Sequence, residues 1–581
     1  MCGIAGIIGI ADAGVADRMI CAMAHRGPDG IGALHGEWFS ARMVRLSIVD
    51  PRGGDQPIYD STRRVAVLFN GEIFNHRELR EELERKGVRF STRCDTEVIA
   101  QLYALEGLQA ITRLQGMFAI ALFDGNMVHL CRDGFGIKPL YVCQSSAYSL
   151  LFASEIKALS ASTAFSARVN WQAVVDNTVQ GYPAAGTTFL QDVHELAPGT
   201  IMTVERGSER IACSTRRFRT VQFVPDNDRD LDANAAKLLT ALDTAVSRQF
   251  ACEASIGVSL SGGLDSSAIT ILAAKRGATP VHAICVSEST LSDDLEVARH
   301  VARSYPVSIT ERSVEPDEYV GALADVAWIE EQISTFSAIP NYFLAMEAAK
   351  HHRVMMSGEG ADELFGGYKT YLGHAKDAQE RLDRVSRLSA RGITPHPNIM
   401  HDLKRLAAAL SDDEHAEIVF DIYLHDQLVS NHLQIADKYY MAFGVECRVP
   451  YLDDIFAGVA LQLPLEHRVN RRLGIQKVAL KAAAASLGPV ACLAAMRRKL
   501  GLPSALGTMH RSLLRPPFSQ HRSIYARSLG AVAPFTGIYG LAFDLFAHIF
   551  VKGRGERPHT NLVADLLREG LTRREAAALP V

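Results

Sequence analysis

The 581-residue chain lacks several features at once, and each absence closes off a class of function. It has no strong charge. Its 61 Lys and Arg stand against 65 Asp and Glu, a formal −4, so neither nucleic acid nor an anionic membrane is indicated as main partner. None of its ten cysteines forms a CxxC pair, which argues against a zinc site or a disulfide scaffold and fits a reducing cytoplasm. No Gly-Lys dipeptide occurs, so a Walker-type phosphate loop is excluded. No basic residue precedes Arg18, which argues against a secretory signal. The most apolar late stretch, GIYGLAFDLFAHIFV, is interrupted by Asp544 and His548 and is too short to span a bilayer, so it reads as a core helix. What remains is a soluble globular composition long enough for two to four domains.

What is present begins at the second residue. In MCGIAGIIG, removal of Met1 would leave a thiol and a free α-amine together on Cys2. A thiol needs a base to become a nucleophile, and an α-amine titrating near ~8 can be that base. A cysteine here can also be a small buried apolar residue, so the rest of the chain has to decide. Short β-type runs follow: VAVLF (65–69) ending in Asn70-Gly71, MFAIALF (117–123) turning at Asp124-Gly125, and MVHLCR (127–132). One helix is predicted through HRELREELERK to Gly87, and another from Asp95-Thr96 to Gly107, which together give an α+β sandwich. HRGPDG (25–30), RLSIVD (45–50), NGEIFN (70–75) and CDTE (94–97) are polar clusters that singly read as turns, an N-cap or a solvated arginine.

Together with MCGIAG, Arg132-Asp133-Gly134 and SEIKAL (154–159), these clusters resemble the N-terminal-nucleophile glutaminase domain of class II glutamine amidotransferases. The resemblance implies that Cys2 attacks the side-chain amide of glutamine, forms a thioester and releases ammonia. It implies a glutamine site of Arg45, Leu46, Ile48, Val49, Asn70, Gly71, Glu72 and Asp95. In that site the planar fork of Arg45 suits the α-carboxylate, while Asp95 and Glu72 face the α-ammonium. The Asn70 amide and the Gly71 N–H form an oxyanion hole, where one lost donor typically costs ~3 kcal/mol.

The polar run CSTRRFRTVQFVPDNDRD reads as a linker. Beyond it, LDANAAKLLTALDTAVSRQF is helix-like and leads into SIGVSL, SGGLDSS and AITILAAKRG. Strand, glycine turn and helix in that order aim backbone N–H groups at an anion, so a phosphate is proposed. VHAICV (281–286), a helix from Asp293, VSIT (307–310), helices across 317–350 and RVMMS (353–357) continue the alternation. It predicts a doubly wound, mainly parallel sheet with its ligand at the C-terminal strand ends. SGEGADELFGGY (357–368) adds Glu359, Asp362 and Glu363, carboxylates of the kind a hard Mg²⁺ ion needs.

SGGLDSS, SGEGADELFGGY, DKYYMAFGVECRVPYLD (437–453) and RRKLGLP (497–503) appear in the order found in glutamine-dependent asparagine synthetases, which the chain resembles over about residues 2–505. That resemblance implies ATP held by Leu260, Ser261, Gly262, Gly263, Asp265, Ser266, Val286, Ser357 and Gly358, with Mg²⁺ on Asp265 and Asp362. Glu359 would take protons from the attacking ammonia, and Lys499 would stabilise charge as an acyl-adenylate forms. The expected plan is a glutaminase domain at 2–200, a linker at 201–235, an ATP-pyrophosphatase domain at 236–505 and a mostly helical extension at 506–581. The implied reaction is amidation of aspartate with release of AMP and pyrophosphate.

Three departures bear on the acceptor. The loop SESTLSDD after Val286 is short and lacks glycine, Tyr440 replaces a small hydroxyl residue, and Leu502 replaces an aromatic. With WIEEQISTFSAIPNY (328–342) as the other expected pocket wall, a different small or carrier-bound acid is the competing reading. The sequence is silent on oligomeric state, and the resemblance implies a homodimer.

Overall fold

The computed structural model describes residues 2–146, 149–208, 210–276, 280–288, 293–390, 392–496, 506–529, 531 and 535–578. The expected RRKLGLP segment, with Lys499 and Leu502, and the centre of SESTLSDD lie outside the described residues.

In the first 217 residues, described strands run β1 (Cys2–Ile8), β2 (Gly30–His35), β3 (Phe39–Arg45), β4 (Ile58–Tyr59), β5 (Val65–Ile73), β6 (Gly116–Asp124), β7 (Met127–Arg132), β8 (Tyr141–Ser146), β9 (Ser149–Ala153), β10 (Val193–Glu195), β11 (Thr200–Arg206) and β12 (Ile211–Arg217). They form two antiparallel sheets, ordered β10-β8-β9-β1-β3-β2 and β12-β11-β7-β6-β5-β4. Strand periodicity explains why both faces of the second sheet are apolar. Ala66 and Leu68 of β5 join Ile4, Met43 and Phe152 between the sheets, whereas Val65, Val67 and Phe69 pack under the helices His76–Arg85 and Asp95–Glu106. This is the expected α+β sandwich.

Two local readings change. Asn70-Gly71 is not a turn, because β5 continues through it, pairing Asn70 with Ala119 and Gly71 with Phe118. Gly71 is needed because a Cβ there would collide with the carbonyl of Met117 on β6. Residues 211–217, within the stretch read as linker, pair with β11 as β12.

The second half is built on a parallel sheet of β13 (Ile256–Ser259), β14 (Val281–Ser287), β15 (Val307–Ser313), β16 (Val354–Met356) and β17 (Glu446–Arg448), ordered β15-β14-β13-β16-β17. The helices Leu231–Phe250, Leu264–Arg276, Asp293–Ser304, Ile339–Ala348 and Gln434–Met441 cover it, so runs such as Ala283–Val286 are buried throughout, as a sheet covered on both faces requires. The strand order reverses between β13 and β16, which opens a crevice beyond their C-terminal ends.

The late apolar stretch is a buried helix, Gly537–Phe546, continued by a π-helical turn, Ala547–Lys552. Its one carboxylate, Asp544, accepts hydrogen bonds from His521 Nε2 (2.8 Å) and from the N–H groups of Ile524 (2.8 Å) and Tyr525 (3.2 Å). The extension fastens to both halves: Phe543 stacks on Trp171 at 5.5 Å, and Gly555 O accepts the Trp328 indole N–H at 3.0 Å. Among the described residues, no helix is long and apolar enough to cross a membrane.

His282 Nδ1 lies 2.7 Å from His352 Nε2, and the His351 ring packs 4.9 Å from that of His282. Burial first, then the two neighbouring rings, lowers His352 from 6.5 to about 4. Above 6.5 neither state is charged there; between 6.5 and about 4 the unfolded chain binds a proton that the folded chain refuses. Stability should therefore decline across that window. His352→Asn should flatten the fall in urea-unfolding midpoint between about pH 7 and pH 5. An unchanged fall would exclude this histidine as its source.

Candidate active site

Cys2 lies on β1 directly opposite Arg45 on β3, so the two side chains share a face of the sheet. Its backbone N–H donates to Asn70 Oδ1 at 3.1 Å. The Asn70 Nδ2 is buried without a hydrogen-bond partner, which leaves a donor available beside the sulfur. Burial raises the thiol above its ordinary value, and Glu446 adds to this, while the Leu46 N–H and Arg45 oppose it. The resting thiol is therefore protonated at neutral pH and needs a base.

Arg45 is placed as expected, but its fork is already engaged. Nη1 donates to Asp55 Oδ1 (2.7 Å) and Pro51 O (3.3 Å), and Nη2 to Asp50 O (2.7 Å). Leu46 and Ile48 turn their side chains away from Cys2 into a small cluster with Val354 and Met441 of the second half, with Val49 at its margin. Asp95 begins its helix rather than capping it, since Cys94 holds the cap position; its Oδ2 accepts the Ile73 N–H at 3.0 Å. Glu72 is buried beside Arg448, with Nη2 and Oε2 3.6 Å apart. Burial, then Glu446, pushes the Glu72 carboxyl well up, and burial raises Asp95 as well.

Glu446 is the buried carboxylate at this site that the sequence did not single out. It arrives from β17, more than 400 residues after Cys2, and completes a group of buried carboxylates with Glu72 and Asp95. The signal was present in GVECRVPYLD, but only the fold carries it to the first sheet.

A buried ionic chain joins the halves at this point. Arg26 is fully buried and donates to Glu155 Oε1 (2.7 Å), Asp437 Oδ2 (2.8 Å) and the Cys2 carbonyl (3.1 Å). Lys138 also reaches Asp437 (3.3 Å); Lys157 bridges Glu155 (2.6 Å) and Glu331 (2.9 Å), and Lys438 meets Glu331 (2.9 Å). Glu331, Glu330 with its Tyr439 hydrogen bond (2.7 Å), and Trp328 were expected to wall the acceptor pocket. Glu331 joins this chain of charge, while Glu330 bonds to Tyr439 within the second half and Trp328 donates to Gly555 O.

The second cluster lies at the β13–β16 crevice. SGGLDSS forms the turn from β13 into the helix Leu264–Arg276: the Ser261 N–H donates to Ser266 Oγ (3.2 Å), and Gly262 takes φ +73. Leu260 donates its N–H to Ile284 O (3.0 Å) beside Val286 at the end of β14, Ser357 donates to Arg448 O (2.8 Å), and Gly358 packs against Asp265. These expected ATP-site residues therefore converge. Asp265 and Asp362 converge too, but on a residue not singled out in the sequence: Lys477 Nζ lies 2.5 Å from Asp265 Oδ2 and 2.6 Å from Asp362 Oδ1. Asp265 Oδ1 is buried with no hydrogen-bond partner, an orphaned oxygen that a divalent cation would satisfy. Glu363 does not belong to this set. Its carboxylate turns inward to the Tyr368 hydroxyl (2.8 Å) and His432 (2.9 Å). Among the described residues, no group of three or more His, Cys, Asp or Glu gathers as a ready-made metal site.

Residues 1–218 match the family model described as a glutamine amidotransferase domain, and residues 237–523 match the one described as asparagine synthase. A Bacillus subtilis protein named asparagine synthetase [glutamine-hydrolyzing] 1 is 30% identical over 562 residues, covering 87% of each chain. A maize protein named asparagine synthetase [glutamine-hydrolyzing] is 30% identical over 496 residues, covering 82% of this chain and 72% of its own. Among solved structures, glutamine phosphoribosylpyrophosphate amidotransferase from B. subtilis aligns at 17% identity over 53% of this chain and 80% of its own, with a TM-score of 0.29.

Removing Arg26 would leave Glu155 and Asp437 buried and short of their countercharge. Arg26→Ala should destabilise the protein by about 3 kcal/mol, read as a lowered unfolding midpoint, because breaking a buried pair costs far more than replacing it. A midpoint unchanged within error would show that the junction does not depend on this arginine.

Proposed function

Because the chain belongs to the family of glutamine-hydrolysing asparagine synthetases, we propose that it releases ammonia from glutamine at Cys2 and uses it to amidate a carboxylic acid activated by ATP. The observation that carries this reading is the pairing of two chemically complementary clusters across one buried junction: Cys2 with Asn70, and Asp265 with Lys477.

In the first site, loss of Met1 frees the Cys2 amine, which Asn70 Oδ1 already holds through the same nitrogen at 3.1 Å. The amine takes the thiol proton as sulfur bonds to the amide carbon of glutamine. Asn70 Nδ2 and the Gly71 N–H receive the developing oxyanion, and return of the proton to the leaving nitrogen expels ammonia. Water then hydrolyses the thioester to glutamate. The α-carboxylate of glutamine replaces Asp55 in the Arg45 fork, one carboxylate for another. Glu446, whose carboxyl, against the effect of burial, Arg448 keeps below its ordinary value, supplies the negative charge for the α-ammonium, with Asp95 and Glu72 beside it as hydrogen-bond acceptors.

In the second site, Ser261, Gly262, Gly263 and Ser266 cradle the pyrophosphate while Leu260, Val286, Ser357 and Gly358 surround the nucleoside. Asp265 and Asp362 would hold Mg²⁺, which when bound offsets charge on the phosphates. Lys477 sits between the same carboxylates and adds a fixed positive charge there. The acceptor carboxylate attacks the α-phosphorus, pyrophosphate departs, and the resulting acyl-adenylate is attacked by ammonia, with Glu359 taking the proton.

Aspartate is the acceptor that the family favours. A different acid is favoured by two observations: Tyr440 is buried at the crevice, and Trp328, Glu330 and Glu331 are committed to Gly555 O, Tyr439 and Lys438.

With ATP, Mg²⁺ and glutamine, a panel of aspartate, glutamate, succinate and malonate should include an acid that stimulates release of AMP and pyrophosphate; stimulation by none of them, with no glutaminase activity, would sink the reading. Cys2→Ala should abolish use of glutamine and preserve synthesis from high ammonium. Loss of both in a folded variant would contradict the division of labour. Asp55→Asn should lower the KM for glutamine severalfold, since it removes a competing carboxylate from Arg45; a raised KM would instead mean that Asp55 holds Arg45 in position.

A further inference from the structure

Charge couples the surroundings of Cys2 to those of Glu359 through β17 and the helix that precedes it. Glu446 acts on Cys2; its chain neighbour Cys447 on β17 is acted on by Glu446 and by Glu359; and Glu359 in turn acts on Tyr440. Lys138 donates to the Cys447 carbonyl at 3.4 Å. Cys2, Glu446, Cys447 and Tyr440 are all buried. Tyr440 belongs to the helix Gln434–Met441, and its carbonyl accepts the Val445 N–H at 3.0 Å, one residue before β17 begins.

The chemical anomaly is at its tip. The Tyr440 hydroxyl is buried, with the residue 1% exposed, and has no hydrogen-bond partner meeting ordinary geometry. A buried hydroxyl without a partner costs on the order of 1–3 kcal/mol, so a phenylalanine would be more stable here unless something transient uses the oxygen. The neighbouring polar groups are Ser259, the last residue of β13, and Glu359, just beyond β16. Those are the two strand ends that frame the crevice.

We propose that the Tyr440 hydroxyl positions ammonia for attack on the activated acyl group. The inference rests on the reading of Cys2 and the crevice given above. A small neutral base crossing a dry passage keeps its lone pair productive only if its N–H groups are held. The Tyr440 oxygen accepts one N–H, which turns the nitrogen lone pair towards the acyl carbon. In the step itself the N–C bond forms, the bond from the acyl carbon to the phosphate oxygen breaks, AMP leaves with that electron pair, and Glu359 receives the surplus proton. Tyr440 neither gains nor loses a proton overall.

Tyr440→Phe deletes the oxygen and preserves the ring. The measurements are glutaminase rate, ATP–pyrophosphate exchange driven by the acid from the panel that supports it, amide formed per glutamine consumed, and amide formed from ammonium chloride in a Cys2→Ala background. Glutaminase rate and exchange should remain within about twofold of the parent, while amide per glutamine and the ammonium-driven kcat should both fall about tenfold, the usual effect of one lost positioning hydrogen bond. An unchanged ratio of amide to glutamine would overturn the proposal, as would loss of exchange and glutaminase in parallel, which marks a packing role. Failure of the parent reading looks different: the unmodified enzyme itself would then show no acid-driven exchange.

Discussion

The interaction on which the rest depends is the buried chain of charge through Arg26. A guanidinium taken fully out of water is tolerable only when its partners are in place, and here those partners come from both halves: Glu155 from the first and Asp437 from the second. An apolar junction of similar size could slide by a few ångströms at little cost, whereas alternating charges at 2.6–3.3 Å permit one register. Because Arg26 also holds the Cys2 carbonyl, that register also sets the position of Cys2. The position of the sulfur relative to the second sheet is thus fixed by electrostatics rather than by the chain connection between the halves.

The loop beside the sulfur is held from the same side. Leu46 and Ile48 bury their side chains against Val354 and Met441, worth about 2 kcal/mol each for full burial of such groups. Asp29 accepts the Ser47 N–H at 2.8 Å and pairs with Arg353, the residue before β16. That strand runs on into Ser357 and Gly358 at the crevice, and Met441 follows Tyr440 in its helix. The loop that would receive glutamine therefore rests on the very strand and helix that frame the other site.

Much of this was legible from local pattern. Period-two and period-3.6 hydrophobic runs placed β6, β7, β13 to β16 and the helices Leu231–Phe250 and Leu264–Arg276 close to their observed limits, because those elements bury the faces their sequences make apolar. Asn70-Gly71 failed as a turn because its glycine answers a neighbouring strand, Met117 on β6, and not its own chain direction. Glu446 and Lys477 were hidden for a related reason. Each acts on residues far away in sequence, Lys477 on Asp265 across 212 positions, and no spacing rule reaches that far. Glu363 misled in the opposite sense: it is adjacent to Asp362 in sequence, but the short helix Ala361–Phe365 sends the two side chains to different neighbours.

Burial at the first site both impedes the chemistry and serves it. It raises the Cys2 thiol, and in the proposed chemistry this would withhold the thiolate until an adjacent amine can accept the proton. The same exclusion of water protects the product. In neutral water ammonia is mostly ammonium, which has no lone pair to offer, so a nitrogen released into solvent is largely lost to the acyl group. On the proposed route a path that excluded water would deliver it unprotonated, and the buried polar groups along the junction do find partners: Glu72 and Glu446 on Arg448, Asp437 on Arg26 and Lys138. If the nitrogen crosses at this junction, the ions that join the two halves would also be what keeps bulk solvent from it.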